Sequence, residues 1–314
     1  MPRLVYVLLP VLTVLSLFVG AVPLRPAQLL HDPEAWQLIA VSRLPRTLAA
    51  LMAGATLAVT GQILQTLARN RFIEPMTAGA GQSAALGVLL VTLLVPGAPV
   101  WAKMAIAALA ALAGSIGLLC LIRPLPPSQP LLVPLVALVY GGVIGAGVTF
   151  VAYQGDMLQY LQVWLSGELS GVLRGRYELL WLAALATAVT WLIADRITLL
   201  GLGEKTARGL GLSVAQVTAL GLGAVSVVTA MCVVTLGAIP FVGLVVPNLV
   251  SRRMGDNLRE ALPVTAAAGA ALVLGADIAG RVIRAPFEIP VSAMLGVIGA
   301  ALFLTVLYKD PSRD

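Results

Sequence analysis

The most concentrated chemistry in this sequence is a polar run set between two apolar ones. From Gly201 to Gln216 it reads GLGEKTARGLGLSVAQ. Glu204 and Arg208, spaced i,i+4, can pair on one face of a helix, while Ala207, Leu210 and Leu212 supply an apolar edge that a partner protein can grip. The spacing over 195–216 predicts two short helices parted at Gly209–Gly211. A solvated loop with incidental charge is the alternative. Gly201 and Gly203 are not a nucleotide fingerprint, since no strand precedes them and no third glycine completes the pattern. No Walker A run occurs in the chain, so any ATP is handled on a separate subunit.

Catalysis finds little to work with. His31 is the one histidine, which leaves no His-based zinc site or triad, and no paired-acid cluster is present. No catalytic residue, metal site or cofactor is expected on this chain. Cys120 and Cys232 both lie inside apolar stretches and read as buried thiols without a disulfide framework. Of the 14 acids, Asp277 falls within an expected span, four residues before Arg281, where an i,i+4 pair explains it. A proton-coupled secondary transporter needs intramembrane ionisable relays, and their absence counts against that class.

The elements that position these residues follow from composition. Of 314 residues, 59% are hydrophobic and 11% charged, against about 25% charged in a soluble domain. The chain is therefore an all-α polytopic membrane protein, and a soluble domain or a single-anchor protein is excluded. A β-barrel fits poorly, because the apolar runs are continuous and do not alternate. Spans are expected near 4–22, 46–67, 76–95, 99–122, 131–152, 177–194, 216–236, 239–251, 261–281 and 291–308, about ten crossings. They form one transmembrane domain over 1–314, with 195–216 as its polar excursion.

Basic residues are spread singly between the apolar runs, so they read as loop charges that orient the chain in membrane lipid and not as a surface for nucleic acid or acidic lipid. With both termini cytoplasmic, twelve of the 20 basic residues fall inside, including Lys309 and Arg313. The outside keeps eight, namely Arg25, Arg43, Arg46, Lys103, Arg174, Arg176, Arg281 and Arg284. So many outside arginines ask for a reason. Two outer stretches do not span. In 31–46, Asp32 can cap a short helix with Pro33 in its first turn and Trp36, Leu38 and Ile39 at interfacial spacing. In 153–177 a small surface helix fits, shaping an outer mouth. Ala50, Gly54 and Ala58, and Gly141 with Gly145, repeat small residues every fourth position and read as helix-packing faces.

Several blocks carry a family resemblance. Arg43-Leu-Pro-Arg46 leading into TLAALMAGATLAVTGQILQTLARNRFIEPMTAG, then GLGEKTARGLGL, then GAIPFVGLVVPNLVSRRMGDNLREALP resemble, in order, the permeases of the iron-siderophore and cobalamin class of ABC importers. The likeness runs from about Arg43 to Tyr308. The usual Asn-Pro-Leu loop is replaced by Asn70-Arg71-Phe72-Ile73-Glu74-Pro75. The stretch AYQGDMLQYLQVWLSGELSGVLRGRYELL is similar to the branch serving ferric catecholate and related siderophores.

The resemblance implies a type II ABC importer permease with ten spans in a bacterial cytoplasmic (inner) membrane, moving a ferric siderophore. It also implies a second permease subunit, with a heterodimer favoured and a homodimer possible, and two ATPase subunits that carry ATP and Mg. An extracytoplasmic binding protein would dock through Arg46 and Arg281, with Arg43 and Arg284 nearby as partial substitutes. For Arg46 the alternative is a snorkelling interfacial arginine, and if the arginines only anchor, docking moves to Arg174 and Arg176. The ATPase-coupling residues would be Gly203, Glu204, Ala207, Arg208, Leu210, Gly211 and Leu212. The competing function is a stand-alone secondary transporter or channel for a small organic solute.

Overall fold

The computed structural model describes residues 2–20, 24, 25, 27, 28, 31–125 and 132–308. Val22, Leu131, Lys309 and Arg313, which enter the span and charge readings, lie outside the described residues. Helices in chain order are α1 (Pro2–Phe18), α2 (Pro33–Leu38), α3 (Leu44–Leu67), α4 (Ala80–Leu94), α5 (Val100–Ile122), α6 (Leu132–Gln154) and α7 (Leu158–Leu165). There follow α8 (Leu180–Leu192), α9 (Ala194–Gly201), α10 (Glu204–Gly209), α11 (Val214–Leu236), α12 (Val242–Met254), α13 (Leu258–Ile283) and α14 (Val291–Tyr308). No strand occurs among the described residues.

Each of the ten apolar segments has its own helix, but the helices are not equally long. Five stretches are long and apolar enough to cross a membrane unaided: 33–67, α5, α6, α11 and α13. The pair α8 and α9, bent by 65°, makes a sixth. The rest are shorter, and for α4 and α12 the reason is visible. Before α4 the chain enters the protein as irregular backbone, with Ile73, Glu74, Met76 and Ala78 all buried. Before α12 the fully buried Ile239 lies in a similar non-helical lead-in. Irregular backbone at this depth is tolerated because protein, not lipid, surrounds it and supplies its hydrogen bonds.

Glu74 joins the two lead-ins. Its carboxylate accepts from the Phe241 N–H at 2.9 Å, doing for α12 what an N-cap side chain does from within the chain. Phe241 itself sits at φ +69°. Burial pushes the Glu74 carboxyl up to about 7, and the N–H groups of Phe241, Leu244 and Gly243 pull it the other way. The Gln65 amide donates to the Ile73 and Gly243 carbonyls at 3.2 and 2.9 Å. Asn248 Nδ2 donates to the Arg71 carbonyl at 2.7 Å. These bonds satisfy backbone that no helix serves.

At the centre α3 and α13 touch through glycine. A Cβ on Gly54 would overlap the Gly269 carbonyl, and one on Gly269 would overlap the Gly54 backbone. Ala50 and Ala58, one turn either side of Gly54, are fully buried, so the small-residue stripe is a packing face. The second stripe divides. A Cβ on Gly141 would lie 2.6 Å from the Thr77 carbonyl, whereas one on Gly145 would meet only the Gln82 side chain at 3.7 Å. Cys232 is buried as expected, but Cys120 is exposed on the outward face of α5. An apolar stretch fixes that a residue is in the membrane, not that it faces protein.

Candidate functional site

Polar side chains collect at the two ends of α13, a helix about 39 Å long at 1.5 Å per residue. At its C-terminal end lies the arginine cluster. Pro45 has no N–H to give to the Val41 carbonyl and its ring crowds that oxygen, so the chain widens into a π turn at Ile39–Arg43 between α2 and α3. The freed Val41 carbonyl accepts instead from the Arg174 N–H at 3.0 Å. The expected separate surface helix is thus continuous with the span. Its cap is as read from the sequence: Asp32 Oδ1 accepts from the Glu34 N–H at 2.9 Å. Ala35 and Ile39 face inward, while Trp36 points out.

Arg46, in the first turn of α3, donates to Asp277 Oδ1 from Nε (3.1 Å) and Nη2 (2.7 Å), and to Glu288 Oε2 from Nη1 (2.7 Å). Arg281 lies on the other side of Asp277, its Nη2 2.6 Å from Oδ2 in an i,i+4 ion pair. That oxygen has no partner in good hydrogen-bonding direction, so the contact is chiefly coulombic. Arg281 also donates to the carbonyls of Ser16 (3.0 Å) and Val19 (2.7 Å) and to Ser16 Oγ (2.7 Å). Arg43 Nη1 donates to the Val19 carbonyl as well. Two guanidinium groups therefore close the C-terminus of α1, where unsatisfied carbonyls favour a cation.

These four arginines differ in access. Arg43 and Arg281 are buried, Arg46 is 11% exposed at its side chain, and Arg284 is exposed with its guanidinium 5.9 Å from the Phe287 ring. Taken alone, the chain thus holds Arg46 and Arg281 in internal pairs. Sequence reasoning missed Glu288, the second acid on Arg46. Its signal was an acid in the short connection directly after a span that ends in two arginines.

The segment after α6 is fastened to this rim. Besides Arg174, the Glu168 N–H donates to the Leu236 carbonyl at 2.9 Å, and Ser292 bonds to Gly167 and Ser166 carbonyls through its N–H and hydroxyl. Arg174 and Arg176 stand exposed on it.

At the opposite end α9 and α10 form the polar excursion. The break between them falls at Leu202–Gly203, where Gly203 takes φ +119°, and not at Gly209–Gly211. Gly211, at φ +80°, instead ends α10: its N–H reaches the Arg208 carbonyl at 2.9 Å and that of Leu212 reaches Ala207 at 3.0 Å, the paired closure that glycine permits after a helix. Glu204 Oε2 lies 3.5 Å from Arg208 Nη2 and 3.3 Å from Arg123 Nη2. Ala207 is fully buried in the core that includes Ile197, Leu200 and Val217. Of the expected apolar edge Leu210 stays exposed, at 61%, beside Gly209, whose Cβ position is empty space.

This end is clamped to α13. Arg259 Nη1 meets Asp195 Oδ2 at 2.5 Å, its guanidinium carbon lies 5.2 Å from the centre of the Trp191 ring, and Trp191 Nε1 donates to the Arg259 carbonyl at 3.3 Å. The Leu258 N–H donates to Thr198 Oγ1 at 3.1 Å. The elbow of α8 and α9 and the first turn of α13 are thus one unit, with the arginine cluster at the far end of the same helix. Among the described residues no group of acids, histidines or cysteines could hold a metal ion.

Comparison with known proteins extends this picture along the whole chain. Residues 8–309 match the FecCD transport family. The chain is 40% identical over 309 residues to the petrobactin import system permease protein YclN of Bacillus subtilis, covering 98% of each chain. It is 41% identical over 295 residues to the ferric-anguibactin transport system permease protein FatD of Vibrio anguillarum, covering 94% of each. A solved inward-facing structure of a metal-chelate type ABC transporter superposes with a TM-score of 0.82 at 29% identity, over 99% of this chain and 100% of that one.

Proposed function

This chain belongs to the FecCD transport family, and from that premise we propose that it is the permease subunit of an ATP-driven importer for ferric siderophores. It is a multi-pass membrane permease, and ATP hydrolysis belongs to a separate subunit. The observation that carries the substrate class is the end-to-end likeness to permeases named for petrobactin and ferric-anguibactin. We place it in a bacterial cytoplasmic membrane with both termini cytoplasmic. The arginine cluster then lies on the outer rim, and α9 and α10 on the side where ATP is available.

Partners follow from the two polar ends. We propose that α10, through Glu204, Arg208, Leu210 and the open Gly209, seats in a groove of the ATPase, with Gly203, Gly211 and Leu212 shaping the segment and Ala207 anchoring it from within. Nucleotide-driven motion would pass through the Asp195–Arg259 clamp into α13 as rigid movement. At the rim we propose that an extracytoplasmic binding protein docks with acidic groups toward Arg46, Arg281, Arg43 and Arg284. Arg284 and Arg46 are the members with access, and Arg43 and Arg281 add charge from below. One permease domain without a nucleotide site implies a second permease and two ATPase subunits that hold ATP and Mg, with a distinct second permease favoured over a second copy.

The test is genetic and biochemical together. A strain lacking this chain should lose growth on a ferric siderophore as sole iron source, and the tagged chain should copurify with an ATPase. Growth unaffected on every siderophore the parent uses would overturn the substrate class. The native mass of the purified complex separates the heterodimer from the homodimer.

A further inference from the structure

Arg46 is held by two carboxylates that differ in kind. Asp277 is carried on α13, is 2% exposed and takes two of the guanidinium N–H groups. Glu288 is carried on the connection between α13 and α14, is 25% exposed at its side chain and takes one. The Asp277 bonds are fixed by a helix and shielded from water. The Glu288 bond is loop-borne and open to it, so of the two it is the one a competing anion can replace.

The surroundings favour such an anion. A cavity of about 360 Å³ opens beside Glu288, lined by Arg284, Phe287, Glu288, Ile289 and Pro290. The Arg284 guanidinium on its wall has no carboxylate partner among the described residues. Counting the local groups, four guanidinium groups (Arg43, Arg46, Arg281, Arg284) face two carboxylates (Asp277, Glu288), an excess of two positive charges. A carboxylate entering the cavity finds Arg284 on its wall beside Glu288, the acid that bonds Arg46. If it takes Arg46 Nη1, Asp277 still holds the other side, so no buried guanidinium is stranded during the exchange.

We propose that Glu288 is a displaceable internal stand-in for a docking carboxylate. It keeps Arg46 satisfied while the rim is empty and yields that place to an acidic side chain of the extracytoplasmic binding protein, which enters beside Arg284. This rests on the rim being the docking face. It adds that the free permease carries its own competitor, and that docking moves the connection leading into α14.

The experiment uses the whole permease complex in nanodiscs and the binding protein that stimulates its ATPase, titrated at low salt. Glu288→Gln removes the competitor and should tighten docking about 1.5- to 5-fold, the range for one exposed ion pair. Glu34→Gln removes a more exposed acid that does not line the cavity and should change affinity less. Arg284→Glu should weaken docking.

A readout without substitution is carbodiimide-driven coupling of glycine ethyl ester to Glu288 in the parent complex, which should rise when the binding protein is added. Affinity unchanged or weakened in Glu288→Gln, or Glu288 labelling that falls on docking, overturns the stand-in while a weakened Arg284→Glu leaves the docking face intact. If Arg284→Glu and Arg46→Glu both dock like the parent, the docking face itself is misplaced.

Discussion

Replacing Asp277 by asparagine tests whether the arginine cluster is the buried ionic lock its geometry describes. The carboxylate is 2% exposed and faces two guanidinium groups, so water cannot take its place when the charge is removed. Breaking such a buried set costs about 3–5 kcal/mol. Arg46 keeps Glu288, and Arg281 keeps the Ser16 and Val19 carbonyls, which puts the expected loss near the low end, about 3 kcal/mol. With an unfolding entropy of about 2.1 cal/mol/K per residue, a chain this long should melt about 5 °C lower. The assay is thermal unfolding of the purified permease in one detergent, followed by tryptophan fluorescence, for Asp277→Asn, Arg281→Gln and the double variant. The double variant should lose less than the sum of the singles by about 1 kcal/mol or more, because the two share one contact. The deficit should also survive molar salt, which would screen a surface pair. Strictly additive losses, or an Asp277→Asn melt matching the parent, would refute the buried lock.

Other outcomes follow from single positions. Gly54→Leu should abolish a monodisperse permease on size exclusion, because its Cβ meets the Gly269 backbone, whereas Gly145→Ala should elute like the parent. Gly209→Trp should fold normally, having no neighbour to displace, yet uncouple ATP hydrolysis from uptake, as should Glu204→Ala combined with Arg208→Ala; unchanged uptake per ATP in both sinks the coupling assignment. The Glu74 carboxyl is raised from 4.5 to about 7, so its contribution to stability is complete below the unfolded value and is lost as pH rises through about 7. The parent should therefore melt lower at pH 8 than at pH 5 by a margin that Glu74→Gln removes, and an equal margin in both proteins would place that pH dependence elsewhere.

Much of this was legible in the sequence because membrane burial writes itself in long apolar runs. The ten segments, the Asp32 cap, the Ala50–Gly54–Ala58 face and the Asp277–Arg281 pair all depend on local spacing, and local spacing is what a sequence displays. What escaped depends on contacts between distant segments. Glu74 sits in a loop by sequence, yet it is 1% exposed, because the chain re-enters the protein there to meet α12. Ala207 looked like an edge and faces the core, since a six-residue helix shows too little periodicity to orient. Pro45 signalled a span entry, but its effect on the Val41 carbonyl, and so on Arg174, needed the fold. The Arg259 clamp pairs residues 64 positions apart, a distance that no motif spans.

The central claim is that this permease moves a ferric siderophore by coupling to ATP hydrolysis elsewhere in its complex. The direct measurement is uptake of a radiolabelled ferric siderophore by proteoliposomes holding the purified complex, with binding protein outside and ATP sealed within. Uptake that needs hydrolysable ATP, stops with a non-hydrolysable analogue and persists when ionophores collapse every ion gradient is the expected result. Uptake driven by an ion gradient without ATP, or by this chain reconstituted alone, would contradict the claim and restore the stand-alone secondary transporter or channel.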